Sequence, residues 1–358
     1  MPTGAGALRT STPNRITSVS GIKAVALILV FVWHAGVLKA PDLGARMCEL
    51  FFVCSGVLEA LNHHGKYSYS LDETVSIVKS KLAKVYPLYF VTFLMAALLG
   101  GVGLKEWTIA GNTTAAVLNL LMMQTWFSNL QFSFNGVSWF VADLMLCYLI
   151  TPLLSWWIRQ RETSADASVL RSYLVPFAVL FCIRVLLQMG QYKGVINISN
   201  HSFPLSRMLE YGMAFVAGTA ILARGGDING APPMRRRFAA DSCMEVVSVS
   251  LYTGALFALN DVWWSRPACS VIAIFLICSF VFSRGALSKL LSIKPLEMFS
   301  TLQMPFYLFH QLVIIAVGYL LGNLGVEHRW TIVGAFLVTL GVSYLWVCLI
   351  RKNSAATS

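Results

Sequence analysis

Charge is what this sequence has least of. Only 12% of its 358 residues are Asp, Glu, Lys or Arg, against 57% that are hydrophobic. Soluble domains carry about a quarter charged residues, so the composition points to an integral membrane protein. Cysteine pairing is also missing. The eight cysteines (48, 54, 147, 182, 243, 269, 278 and 348) form no Cys-x-x-Cys pair, which argues against a metal site and a disulfide framework. They read as buried, inert thiols. A cleavable signal peptide is not expected, because the first apolar run is too long and a short loop leads straight into another span. No repeat, long linker or appended soluble domain is evident.

What is present is a series of apolar runs. A span of the hydrocarbon core takes about 20 apolar residues. Ten segments qualify, near 19–38, 43–61, 85–102, 138–158, 171–190, 207–224, 240–259, 266–283, 302–321 and 331–350. The run "AAVLNLLMMQTWF" is too short to cross and reads as re-entrant or interfacial. The expectation is an all-α bundle of about ten transmembrane helices. A tail over 1–18 and another over 351–358 flank one membrane domain over 19–350.

The net charge of +11 does not imply nucleic acid. With a cytoplasmic N-terminus, 19 of the 27 basic residues fall inside, seven (Lys39, Arg46, Lys105, Lys193, Arg207, Arg266 and Arg329) fall outside, and Arg184 is intramembrane. This alternation is the positive-inside pattern, and it places both termini in the cytoplasm. The "RRR" at 235–237 reads as a topology determinant.

Two ionisable groups interrupt the first run, "GIKAVALILVFVWHAGV". Lys23 and His34 are eleven residues apart, close to three helical turns, so they share a face with an axial separation of about 16 Å. Lys23 lies toward the cytoplasmic end and His34 in the outer half. Ionisable groups inside a span are costly and are functional candidates by default. Read singly, Lys23 is a snorkelling lysine and His34 a buried imidazole bound to a backbone carbonyl.

The arrangement resembles the Arg/Lys-x10-His signature of the acyltransferase family 3 membrane enzymes. Three further matches follow in order: "ELFFVCSGV" (49–57) in the second run, "KLAKVYP" (81–87) leading into the third, and "SWFVADLMLCYLITPLL" (138–154). "SRMLEYGMAFVAG" resembles the family's R-x-x-E-F element and "FYLFHQLV" its late Y-L-x-H. Lysines replace the arginines of the first and third motifs, at Lys23, Lys81 and Lys84. A point charge there substitutes for a bidentate fork. The usual Ser-Tyr pair of the late motif is Gln303 and Met304, and a usual glycine is Ala214.

The resemblance implies transfer of an acyl group, most simply acetyl, from cytoplasmic acyl-coenzyme A to a hydroxyl of a surface polysaccharide or lipid-linked glycan. Acyl-CoA would be a co-substrate, with no permanently bound cofactor and no metal. Lys23, Lys81 and Lys84, beside Lys79, form a basic seat for a polyanionic donor, with Tyr86 and Ser55 nearby. His34 is the candidate general base, since its ordinary pKa lies near working pH. An acyl-histidine intermediate stays open, and oxyanion stabilisation by Lys23, Ser55 or a backbone amide stays open with it.

Asp143, Arg184, Arg207 and Glu210 fall at about the level of His34 and are expected to pair, Arg184 with Asp143 or Glu210. With Trp139 and His310 they are candidates to orient His34 or bind acceptor hydroxyls. His310 reads as supporting rather than catalytic. His63, His64, His201 and His328 lie in loops and read as solvated. The outer segment 103–137 interleaves Trp107, Trp126, Phe127, Phe132 and Phe134 with Asn112, Gln124, Asn129 and Asn135, which suits a sugar platform or an interfacial belt. The competing reading is a permease that uses the same buried charges without covalent chemistry. It calls for inverted repeats or paired broken helices, and neither is evident.

Overall fold

The structure, a computed structural model, describes residues 16–40, 42–63, 70–101, 113–163, 168–197, 199, 201–223, 234–259, 262–282 and 284–356. The readings on Lys66, His64, Lys105, Trp107 and Asn112, and on the side chains of His63 and 235–237, lie outside the described residues. Among those residues every regular element is helical. The elements are α1 (Thr17–His34), α2 (Leu43–His63), α3 (Leu71–Gly101), α4 (Thr113–Leu120), α5 (Trp139–Glu162), α6 (Val175–Tyr192) and α7 (Pro204–Ala223). They continue as α8 (Met234–Ala258), α9 (Ser265–Phe280), α10 (Ala286–Leu291), α11 (Lys294–Thr301), α12 (Gln303–Asn323) and α13 (His328–Ala356). Short 3-10 turns occupy Gln124–Trp126 and Gly136–Ser138, and a π-helical turn, Leu170–Leu174, leads into α6.

Six helical stretches are long and apolar enough to cross a membrane by length and composition: Thr17–His34, Leu71–Gly100, Gly136–Glu162, Arg171–Tyr192, Gln303–Asn323 and His328–Lys352. The other expected spans are helices too, but each falls short on one count. α2, α7 and α8 carry ionisable groups that dilute their apolar character, and α9 has only 16 residues. Hydrocarbon leaves no water to satisfy a backbone, which is why such apolar segments resolve into helices.

The centre of the bundle is built from α1, α2, α5 and α7. The α5 stretch has 72% of its span buried, whereas that of α13 has 17% and shows its sides to the surroundings. A close crossing joins α2 to α7. A Cβ at Gly56 would stand 2.4 Å from the Tyr211 carbonyl oxygen, and one at Gly218 would stand 3.0 Å from the Val57 carbonyl. Small residues let these backbones meet, as at close crossings between membrane helices. That is the physical reason for the glycine in the "ELFFVCSGV" motif.

The short apolar run folds back into the bundle. The Tyr86 hydroxyl donates to the Leu120 carbonyl (3.0 Å) and that of Tyr89 to the Asn119 carbonyl (2.8 Å), so the end of α4 reaches the middle of α3. The run thus packs against α3, and the chain returns through Gln124–Trp126 to the start of α5. On the opposite flank, buried Glu245 of α8 accepts from the backbone N–H groups of Gly285 (2.9 Å) and Ser288 (3.1 Å) and from the Ser288 hydroxyl (2.5 Å). A carboxylate there satisfies the free donors that open α10.

Candidate active site

The end of α1 supplies the first functional group. His34 is its last helical residue, and Gly36 (φ +73°) turns the chain away just beyond it. His34 Nδ1 lies 3.0 Å from the Val30 carbonyl and 3.2 Å from Nε2 of His310 on α12. His310 is fully buried, and its own Nδ1 lies 2.5 Å from the Tyr307 carbonyl. This chain of contacts fixes the tautomers. A carbonyl only accepts, so the Tyr307 contact puts a proton on His310 Nδ1. With His310 neutral, its Nε2 is an acceptor, and the proton between the rings belongs to His34 Nδ1. Nε2 of His34 is then the basic nitrogen, left to the cavity that His34 lines.

That cavity holds about 250 Å³ and is walled by Trp33, Phe132, Trp139, Tyr307 and Gln311 besides His34. At about 30 Å³ per water it would hold roughly eight waters, enough for the reacting end of a ligand. His201 lines it as well. The expectation that His201 is a solvated loop residue is therefore corrected. Its imidazole packs on Trp139, with ring centroids 4.5 Å apart, and lies 5.6 Å from Phe132. The segment before α7 folds back over the bundle, which a reading that sends every loop to water cannot anticipate. The polar "NISNHSFP" ahead of the Arg207 element was the available signal.

The buried charges assemble beside this cavity. Arg184 Nε donates to Glu210 Oε1 (3.2 Å), and Arg207 Nη1 bonds the other oxygen, Oε2. Glu210, rather than Asp143, is thus the partner of Arg184. Arg207 also donates from Nε (3.0 Å) and Nη2 (2.7 Å) to the His201 carbonyl, and its guanidinium lies 5.8 Å from the Trp139 ring. Glu49 of α2 accepts from Arg46 (3.3 Å) and from Ser270 (2.7 Å). Asp143 is fully buried, and neither carboxylate oxygen has a hydrogen-bond partner among the described residues.

The expected donor residues are spread more widely. Lys23 is half-buried on α1, within electrostatic reach of Cys54. Lys81 is paired across helices with Glu59 (3.0 Å) and lies 4.3 Å from the Tyr148 ring centroid. Lys79 and Lys84 are exposed. Ser55 donates to the Phe51 carbonyl of its own helix (2.8 Å), and Tyr86 braces the end of α4. His328 is exposed at the start of α13. No cluster of three or more His, Cys, Asp or Glu suited to a metal occurs among the described residues.

Comparison with known proteins decides the family. The Acyl_transf_3 model, described as an acyltransferase domain, matches residues 16–348. The chain belongs to acyltransferase family 3. Acyltransferase MdmB of Streptomyces mycarofaciens is 24% identical over 360 residues, covering 92% of this chain and 87% of that protein. No solved structure matches significantly. As a family 3 acyltransferase the chain is an enzyme that moves an acyl group from a donor to an acceptor. The permease reading gives way to that assignment. Its several long apolar helices agree with a multi-pass membrane protein.

Proposed function

We propose that this acyltransferase moves an acyl group, acetyl in the simplest case, from cytoplasmic acyl-CoA to a hydroxyl of a surface polysaccharide or lipid-linked glycan, and that His34 is the general base. In this reading residues 19–350 form one domain of about ten spans in a bacterial plasma membrane, with both termini in the cytoplasm. α2, α7, α8 and α9 complete the count, with Arg46, Glu49, Glu59, Arg207, Glu210 and Glu245 buried. The observation that carries the proposal is the His34–His310 pair, which leaves one basic imidazole nitrogen at a cavity of acceptor size.

The donor approaches from the side of Lys23, Lys81 and Lys84, where an extended pantetheine arm can follow α1 for about 16 Å toward His34. The acceptor oxygen attacks the thioester carbonyl as His34 Nε2 takes its proton. The tetrahedral intermediate then breaks its carbon–sulfur bond. The coenzyme A sulfur leaves and receives that proton from the imidazolium, and an ester remains on the acceptor. Lys23, at the far end of the helix, is assigned to the donor rather than to the proton transfer. Neither a metal nor a bound cofactor enters this scheme.

The test uses purified protein in nanodiscs with acetyl-CoA, followed by donor binding and by release of free thiol. His34→Ala is expected to bind the donor but to lose about 10²–10⁴-fold in turnover, the usual share of general-base catalysis. Lys23→Ala is expected to weaken binding. A folded His34→Ala enzyme that transfers acyl groups at the wild-type rate ends the proposal.

A further inference from the structure

Three polar side chains, His34, His201 and Gln311, line the cavity, and the reaction scheme uses only one of them. His34 Nε2 is the base. The His201 imidazole is the second: its ring makes two aromatic contacts but no hydrogen bond among the described residues. Gln311 Oε1 is the third, buried and unbonded, on the turn of α12 that also carries His310. Buried polar atoms in a folded protein almost always have partners, so orphans that converge on one cavity mark where a ligand's polar groups belong. The same cavity has aromatic walls in Trp139 and Phe132.

His201 is also held deliberately. Two N–H groups of Arg207 bind its carbonyl, and Arg207 is fixed in turn by Glu210, which Arg184 grips from α6. The two guanidiniums and the carboxylate are all fully buried. Removing such charges from water is expensive unless the geometry uses them, and here it pins a loop carbonyl over the cavity. Burial, with Arg207 beside it, holds the His201 pKa well below the ordinary histidine value. The ring is therefore a neutral donor and acceptor rather than a cation.

We propose that this cavity is the acceptor subsite, in which His201 and Gln311 hydrogen-bond the hydroxyls that flank the reacting one, Trp139 and Phe132 carry the apolar face of the ring, and the Arg207–Glu210–Arg184 cluster positions His201. The proposal rests on the acyl-transfer reading above and adds the groups that grip the acceptor. The Arg-x-x-Glu element is then a positioning device, not a group that touches reacting atoms.

The experiment measures two reactions in nanodiscs with acetyl-CoA: thioester hydrolysis without acceptor, and acetyl transfer to methyl α-D-glucopyranoside as the probe. Sorbitol at the same concentration is the acyclic control. Wild type is expected to acetylate the pyranoside faster than sorbitol. His201→Leu and Gln311→Leu are expected to raise the probe KM at least tenfold, a larger change than either makes in kcat. His201→Gln, which keeps a hydrogen-bonding side chain, should recover much of the loss. Arg207→Lys should raise the same KM without changing hydrolysis.

Unchanged probe KM in both leucine variants overturns the subsite. So does wild-type enzyme that treats pyranoside and sorbitol alike, or loss of hydrolysis together with transfer in His201→Leu. Hydrolysis that does not depend on His34 would instead overturn the parent reading.

Discussion

Deletion of His310 separates a relay from a second base. In the structure the His34 Nδ1–H faces two acceptors, the Val30 carbonyl at 3.0 Å and His310 Nε2 at 3.2 Å. His310→Ala removes only the second, so the proton on His34 keeps a partner and no buried donor is stranded. The loss is then the net worth of one hydrogen bond, about 1–1.5 kcal/mol, together with some freedom of the ring. At 1.36 kcal/mol per decade this is about a tenfold fall in kcat. His34→Ala should cost about 10²–10⁴-fold. The assay is the initial rate of thiol release from acetyl-CoA at saturating donor, with donor binding measured separately and expected to be unchanged. His310→Gln fills much of the same volume and offers a side-chain carbonyl to His34, so it should recover part of the rate. A His310→Ala enzyme as slow as His34→Ala would show that His310 itself takes a proton from substrate. A wild-type rate would remove the relay altogether. The first result refutes the tautomer argument; the second shows that the Val30 carbonyl alone holds the proton on Nδ1.

Two further outcomes are expected. Gly56→Ala places a Cβ 2.4 Å from the Tyr211 carbonyl, where backbone cannot yield cheaply, and should destabilise the α2–α7 crossing by about 1–3 kcal/mol; an unchanged thermal midpoint in detergent would contradict the close-crossing account. His201 has a folded-state pKa lowered by burial first and by Arg207 second, so below about pH 6.5 the unfolded chain binds a proton that the native chain refuses, and stability falls as pH falls at up to about 1.4 kcal/mol per unit. His201→Gln lacks this term, so the stability gap between the two proteins should shift in favour of the variant between pH 7.5 and 5.5; a constant gap would show that His201 is not held in the buried, neutral state.

Much of the site was legible because periodicity and cost are both written in sequence. The Lys23–His34 spacing puts two expensive groups on one helix face, and the structure places His34 at a cavity as that spacing suggests. The buried Arg184, Arg207 and Glu210 could be picked out as an interacting set because no lone charge survives in an apolar span. Which carboxylate Arg184 chooses could not be read, because that depends on how α5, α6 and α7 rotate against one another, and Glu210 won over Asp143. His201 was missed for a different reason. A loop residue carries no periodicity, and its inward placement follows from Arg207 capturing its carbonyl, a contact between two positions that no local pattern connects. Lys81 shows a different limit. Its place in a basic cluster was clear, but the Glu59 opposite it lies on another helix, so its charge is already partly answered.

The geometry of the charged cluster gives a reason for burying Arg46, Arg184 and Arg207. Each guanidinium costs several kcal/mol to remove from water unless it is paired and bonded. Hydrophobic residues of similar size would hold α2, α6 and α7 together at lower cost. They could not hold a loop carbonyl. Arg207 has donors left for the His201 backbone because Glu210 takes only its Nη1 in the bonds described, and Glu210 remains in place because Arg184 occupies its other oxygen. Loss of Arg184 would therefore be felt at His201 through two intervening side chains, without any contact between Arg184 and the cavity. Asp143 is fully buried within electrostatic reach of Arg207, but it is not among the groups that hold the loop carbonyl. The cluster is thus most economically understood as a buried mount for the cavity wall that His201 forms.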